Sequence, residues 1–109
     1  MAEMTLRETC KQLGLSRRAL QGYEKAKLVS SSSKTQSGYL LYDDSARQRI
    51  KIIKCYQDMG FSLQEIKDII DAPNDVKRPA LIQRKEELNE KINHNKKMIA
   101  VIEDMLKQM

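Results

Sequence analysis

At 109 residues, with 40% hydrophobic and 32% charged residues, the chain has material for one domain and one long additional element. No apolar run approaches the roughly 20 residues needed to cross a bilayer, and no basic-then-apolar leader opens the sequence, so no membrane partner and a cytoplasmic location are expected. The net charge of +5 is uneven, with 11 Lys/Arg against 6 Asp/Glu in residues 1–60 and 9 of each in residues 61–109, a footprint that points to nucleic acid unless it is only a solvated basic surface.

In chain order, a first helix opens at Thr5 and Glu8, a Ser/Thr-x-x-Glu capping box in which each side chain satisfies an orphan amide. Gly14 stops it, because glycine accepts the left-handed backbone of a sharp C-terminus. Ser16 caps a second helix whose first turn carries Arg17 and Arg18. Two arginines there oppose the macrodipole, and a helix selected for stability alone would carry Asp or Glu. The pair points to an anion outside the fold, as at the N-terminal part of a recognition helix on DNA. Leu28 and Val29 begin a short strand, residues 30–37 form a polar tip, Gly38 turns the chain back, and Tyr39-Leu40-Leu41-Tyr42 is the return strand. Asp43 or Asp44 caps a third helix reaching about Met59, with Ile52, Ile53, Tyr56 and Met59 as its apolar stripe. Gly60 ends it. Ser62 and Glu65 form a second capping box, opening a short helix through Ile66, Ile69 and Ile70.

Ala72-Pro73-Asn74 marks the boundary between a domain at residues 1–73 and a long helix at residues 76–109. The helix starts near Val76, with Pro79 in its first turn. Leu81, Leu88, Asn95, Ile102 and Met109 fall on one row, and Lys85, Ile92, Ile99 and Leu106 on the alternating row. This repeat of 3.5 residues is a coiled-coil seam, flanked by Met98 and Met105. A helix of about 30 residues spans roughly 45 Å, too long to bury its stripe on so small a domain. It needs a partner chain. Asn95 either sets the register of the seam or is a weak spot in it. The fold class expected is mainly α: a winged helix-turn-helix DNA-binding domain followed by a long C-terminal coiled-coil dimerisation helix.

No glycine-rich phosphate loop, Ser/His/Asp set or carboxylate pair supports an enzyme. Cys10 and Cys55, 45 positions apart, fit a reduced cytoplasm better than a disulfide scaffold. Without matched histidine spacing they do not make a zinc site, and His94, the one histidine, falls outside the seam. No cofactor or metal is expected.

Three motifs in order, S-R-R-A-L-x-x-Y-E at residues 16–24, S-G-Y-x-x-Y at 37–42 and M-G-F-S-L-x-E-I at 59–66, resemble the MerR family of bacterial transcriptional regulators. The resemblance runs over residues 4–71, and the terminal helix resembles that family's dimerisation helix. It implies an antiparallel coiled-coil homodimer on a pseudo-palindromic promoter site in double-stranded DNA. Activators of the family distort the DNA between two promoter elements so that RNA polymerase engages both, which is readout through deformation, and a repressor could use the same fold without it. Arg18 matches the family's recognition-helix arginine, Tyr23 its phosphate-contacting tyrosine, and Tyr39 and Tyr42 its wing aromatics. Arg17 and Gln21 share the outward face of Arg18, where Arg can read guanine and Gln adenine. Tyr23 has a second reading, core packing against Leu15 and Leu20, and wing aromatics can equally hold the wing to the body. The dimer interface expected comprises Leu81, Leu88, Ile92, Asn95, Ile99, Ile102 and Leu106.

The sequence also departs from the family. Gln21-Gly22 stands where an Arg-Tyr or similar pair is usual, and Gly22 inside a helix costs about 1 kcal/mol against alanine. Leu40 replaces a wing arginine and Gln57 a common basic residue, so three phosphate contacts are missing or are replaced by Lys34 or Lys54, and weaker DNA affinity is expected. Neither cysteine stands where metal-sensing members place theirs, at the start of the dimerisation helix or beyond its end. A different class remains open: a DNA-architectural or excisionase-like winged helix, or a regulator working mainly through protein contacts.

Overall fold

Side-chain caps fix where four of the five helices begin. In the computed structural model, which describes residues 3–109, Thr5 Oγ1 accepts from the Glu8 amide at 3.2 Å while Glu8 Oε1 accepts from the Thr5 amide at 2.9 Å. These bonds hold the Glu8 carboxyl below its ordinary range. The box opens α1 (Leu6–Leu13), which Gly14 closes at φ 67°. Ser16 caps α2 (Arg17–Lys25), its Oγ accepting from the Ala19 amide at 3.0 Å. Asp43 caps α3 (Asp44–Asp58), and the second box, Ser62 with Glu65, opens α4 (Leu63–Ile69). All four starts fall where the local signals put them, because a cap needs only three or four consecutive residues.

The strands differ from the sequence expectation. A three-stranded antiparallel sheet runs in the order β1 (Met4–Thr5), β3 (Leu40–Tyr42), β2 (Ser33–Lys34), with Ser33 opposite Leu41 and Met4 opposite Tyr42. The first strand of the wing is therefore Ser33–Lys34, not Leu28–Val29, and residues 30–37 are not all tip. Leu28 and Val29 are buried and belong to the core just after α2. The turn is tighter than expected: the Gly38 amide donates to Thr35 O at 3.0 Å and the Thr35 amide to Tyr39 O at 2.9 Å, with Gly38 at φ 90°.

The core gathers Leu20 and Tyr23 of α2, Tyr42 of β3, Ile50 and Ile53 of α3, and Ile66 of α4, none more than 1% exposed. Each such side chain contributes about 1.5–3 kcal/mol by leaving water. The buried residues of α3 are Arg47, Ile50 and Ile53; of the expected stripe Ile53 is buried, Tyr56 and Met59 are half-buried, and Ile52 is 48% exposed and does not belong to it. Arg47 is buried but satisfied: it donates to Tyr42 O at 2.5 Å and pairs with Asp44. Arg49 donates through Nε to Leu28 O at 2.5 Å and forks onto both oxygens of Asp71 at 2.8 Å, tying α3 to the segments after α2 and after α4. Asp71 is the last residue of this compact unit, and a second unit begins at Ala72. Residues 1–2 of the domain expected at 1–73 lie outside the described residues.

The second unit is α5 (Asn74–Lys107), 34 residues and roughly 51 Å long. It starts two residues earlier than Val76, with Pro73 as its N-cap. Pro79 therefore lies past the first turn, correcting the expectation, and leaves the Asp75 carbonyl without its helical donor. No residue of α5 is buried. Among the described residues no helix is long and apolar enough to cross a membrane.

Candidate nucleic-acid interface

Helix α2 is two-faced. Leu20 and Tyr23 point into the core, while Arg17, Arg18, Gln21 and Lys25 are exposed on the opposite arc. Among the described residues none of Arg17, Arg18 and Lys25 has an ion-pair partner. Lys25 was missed from sequence, although its spacing of seven residues from Arg18 puts it on the same face.

Two buried tyrosines orient this helix. The Tyr23 hydroxyl donates to Gln57 Oε1 of α3 at 2.7 Å, and the Tyr42 hydroxyl of β3 donates to Glu24 Oε1 of α2 at 2.5 Å. Burial is the first cause raising both phenols, helped at Tyr23 by the charge of Asp58 and at Tyr42 by its bond to the Glu24 carboxylate. They stay protonated and keep donating. Tyr23 is 1% exposed and Tyr42 0%. Both therefore sit as the second reading of each has it, packed into the core with the hydroxyl proton engaged inside the fold. Gln57, where a basic residue is common, is the acceptor that Tyr23 uses.

The wing keeps two of its candidates at the surface. Lys34 on β2 is exposed, and Tyr39, just before β3, is 65% exposed. Leu40 is half-buried and shares its side of β3 with the buried Tyr42, the arrangement of the inward-packing reading. Arg17, Arg18 and Gln21 thus stand together on one helix face, with Lys34 and Tyr39 on the hairpin of the same unit.

The cysteines have different surroundings. Cys10 is buried, its thiol directed at Ser16 O at 3.7 Å and pushed up by burial, whereas Cys55 is exposed. Among the described residues no group of three or more His, Cys, Asp or Glu side chains is placed to hold a metal ion.

On α5 the seam residues stand open. Leu81, Leu88, Ile92, Ile99, Ile102 and Leu106 are 37–63% exposed, and Asn95 is exposed among them. Ile82, 46% exposed beside Leu81, widens the stripe and was not anticipated.

A profile of the MerR HTH family regulatory proteins matches residues 4–73, and one described as MerR, DNA binding matches residues 47–109. The HTH-type transcriptional activator mta of Bacillus subtilis (strain 168) is 37% identical over 93 residues, covering 85% of this chain and 36% of that protein. The chain spans about a third to a half of the length of the first curated relatives it matches. Among solved structures, the N-terminus of the Bacillus subtilis multidrug transporter activator, MtaN, is 33% identical with a TM-score of 0.75, covering 94% of this chain and 97% of that one. A MerR family transcriptional regulator from Bacillus cereus gives a TM-score of 0.85 at 25% identity, covering 98% of this chain and 82% of that one. With most of its length matched in this way, the chain belongs to the MerR family of helix-turn-helix regulatory proteins.

Proposed function

We propose that this chain is a transcriptional regulator that binds double-stranded DNA as a homodimer at a pseudo-palindromic promoter site in the cytoplasm. Its role is binding rather than catalysis, and it acts by deforming promoter DNA that RNA polymerase then engages. The observation that carries the reading is the cationic outer face of α2, where Arg17 and Arg18 occupy the helix start against the macrodipole and have no ion-pair partner among the described residues. A relative named as a transcriptional activator supports it. Arg18 is the base reader, Arg17 and Gln21 flank it, and Lys34 and Tyr39 hold the backbone from the wing. The two α5 helices pair antiparallel through Leu81, Leu88, Ile92, Asn95, Ile99, Ile102 and Leu106, because a stripe this apolar on a helix without a core needs a second copy to cover it. That stripe favours a dimeric regulator over a monomeric architectural protein.

The test begins by selecting duplexes from a randomised pool with the wild-type chain. On the selected site, Arg18→Ala should weaken binding by about 1–3 kcal/mol and relax preference at one position per half-site. An equal loss on every sequence makes Arg18 a phosphate contact. Unchanged binding removes Arg18 as the base reader.

A further inference from the structure

Gly22 sits in the middle of α2 with ordinary helical backbone, since the positive-φ glycines among the described residues are Gly14, Gly38 and Gly60. A Cβ built on Gly22 would meet nothing within 4 Å. Neither backbone conformation nor packing therefore asks for glycine, which is among the least favourable residues in a helix interior. Its place on the helix is informative. Gly22 lies four residues after Arg18 and three before Lys25, between two exposed cations on the outward face.

We propose that Gly22 is a clearance position, the point where the sugar-phosphate backbone of DNA comes closest to α2. The proposal rests on α2 being the DNA-reading helix and adds what sets its depth. With no side chain between Arg18 and Lys25, the helix axis can approach the duplex more closely than a Cβ would permit. The two cations then straddle the contact. Close approach of backbone to ligand is a recurrent use of glycine, and flanking positive charge makes the ligand anionic. On this account Gly22 compensates for missing contacts by proximity, and the departure from the family's aromatic residue is a change of docking depth.

Gly22→Ala and Gly22→Leu test it together, because both residues are strong helix formers and differ in size. Both should fold, and Gly22→Ala should raise Tm by roughly 4–8 °C in a domain of this size. On the duplex selected by wild type, affinity should fall at least tenfold for Gly22→Ala and further for Gly22→Leu. A higher Tm with affinity unchanged or improved overturns the proposal. Equal losses for the two variants also overturn it, since they would make helix flexibility, not clearance, the function of the glycine. Arg18→Ala run in parallel separates the levels: if it binds as wild type while the Gly22 variants lose affinity, the base-reading assignment fails and the clearance position stands. If Arg18→Ala loses binding and the Gly22 variants do not, the clearance position alone fails.

Discussion

Truncating one seam residue of α5 gives a quantitative test of self-association. Ile99 is 55% exposed in the single chain, so about half of its surface is available to be buried by a partner. A fully buried isoleucine gains about 1.5–3 kcal/mol, which makes Ile99 worth roughly 0.8–1.6 kcal/mol per protomer and twice that per dimer. Ile99→Ala removes most of this, about 2 kcal/mol per dimer, or roughly 30-fold in Kd. Ile99→Asp goes further, because it places a carboxylate from each chain in an apolar seam. Sedimentation equilibrium across a concentration series reads both variants, with Lys97→Ala, an exposed position off the seam, as the control. Ile99→Asp should sediment as a monomer at concentrations where wild type is dimeric. Loss of α5 helicity by circular dichroism should accompany it, since a long helix with no buried residue relies on its partner. Binding to the selected duplex should be lost with the dimer. If Ile99→Asp sediments as a dimer with the wild-type Kd, the seam is misassigned and the coiled-coil argument falls with it.

Three further outcomes follow from the first unit. Leu40→Arg should lower Tm and leave the salt dependence of DNA binding unchanged, because Leu40 shares its side of β3 with Tyr42; a log–log salt slope steeper by roughly 1.8 for the dimer would instead place position 40 on the phosphates. Lys27 is the one described non-glycine residue with positive φ, at 62°, so Lys27→Gly should stabilise the domain by about 1 kcal/mol, and a lower Tm would refute that relief of strain. The Asp43 carboxyl is held below its ordinary range, first by the Ala46 amide and then by Ser32, so its contribution is present above the unfolded value near ~4 and lost as pH falls through the folded one. Asp43→Asn should therefore have a lower Tm than wild type at pH 7 and converge on it in acid; a gap of the same size at pH 2 to 3 would show that titration plays no part.

What the sequence discloses here depends on how local each signal is. Thr5 with Glu8, Ser16, Asp43, and Ser62 with Glu65 all declare helix starts within a four-residue window, and each forms the cap its spacing implies. The wing does not, because β2 is two exposed residues, Ser33 and Lys34, too short for any alternating pattern to mark it. Leu28 and Val29 carry the β-forming composition instead but are used as core. Tyr23 and Tyr42 illustrate a different limit. Their positions in the motifs are legible, but the acceptors that hold them inward, Gln57 at 34 positions and Glu24 at 18 positions away, are set by tertiary packing. Arg17, Arg18 and Gln21 are readable as an outward face because helical periodicity alone decides it.

The residues of α2 that disagree with local preference fall together. Arg17 and Arg18 stand at the end of the helix that favours anions, Gly22 occupies an interior position where alanine would serve, and Lys27 takes the left-handed backbone after the helix where glycine would. Each choice costs on the order of 0.3–2 kcal/mol against its local alternative. The starts of α1, α3 and α4 show the opposite habit, with Glu8, Asp44 and Glu65 each in a first turn where the dipole rewards them. A chain that follows local rules at those three starts, and breaks them repeatedly around one exposed helix, is not carrying random imperfection. Arg17 and Arg18 supply charge and Gly22 supplies room, both of which an anionic duplex can use and the folded domain cannot. Lys25, which fits the helix C-terminus and also extends the cationic face, is the one residue on that arc for which stability and binding ask for the same side chain.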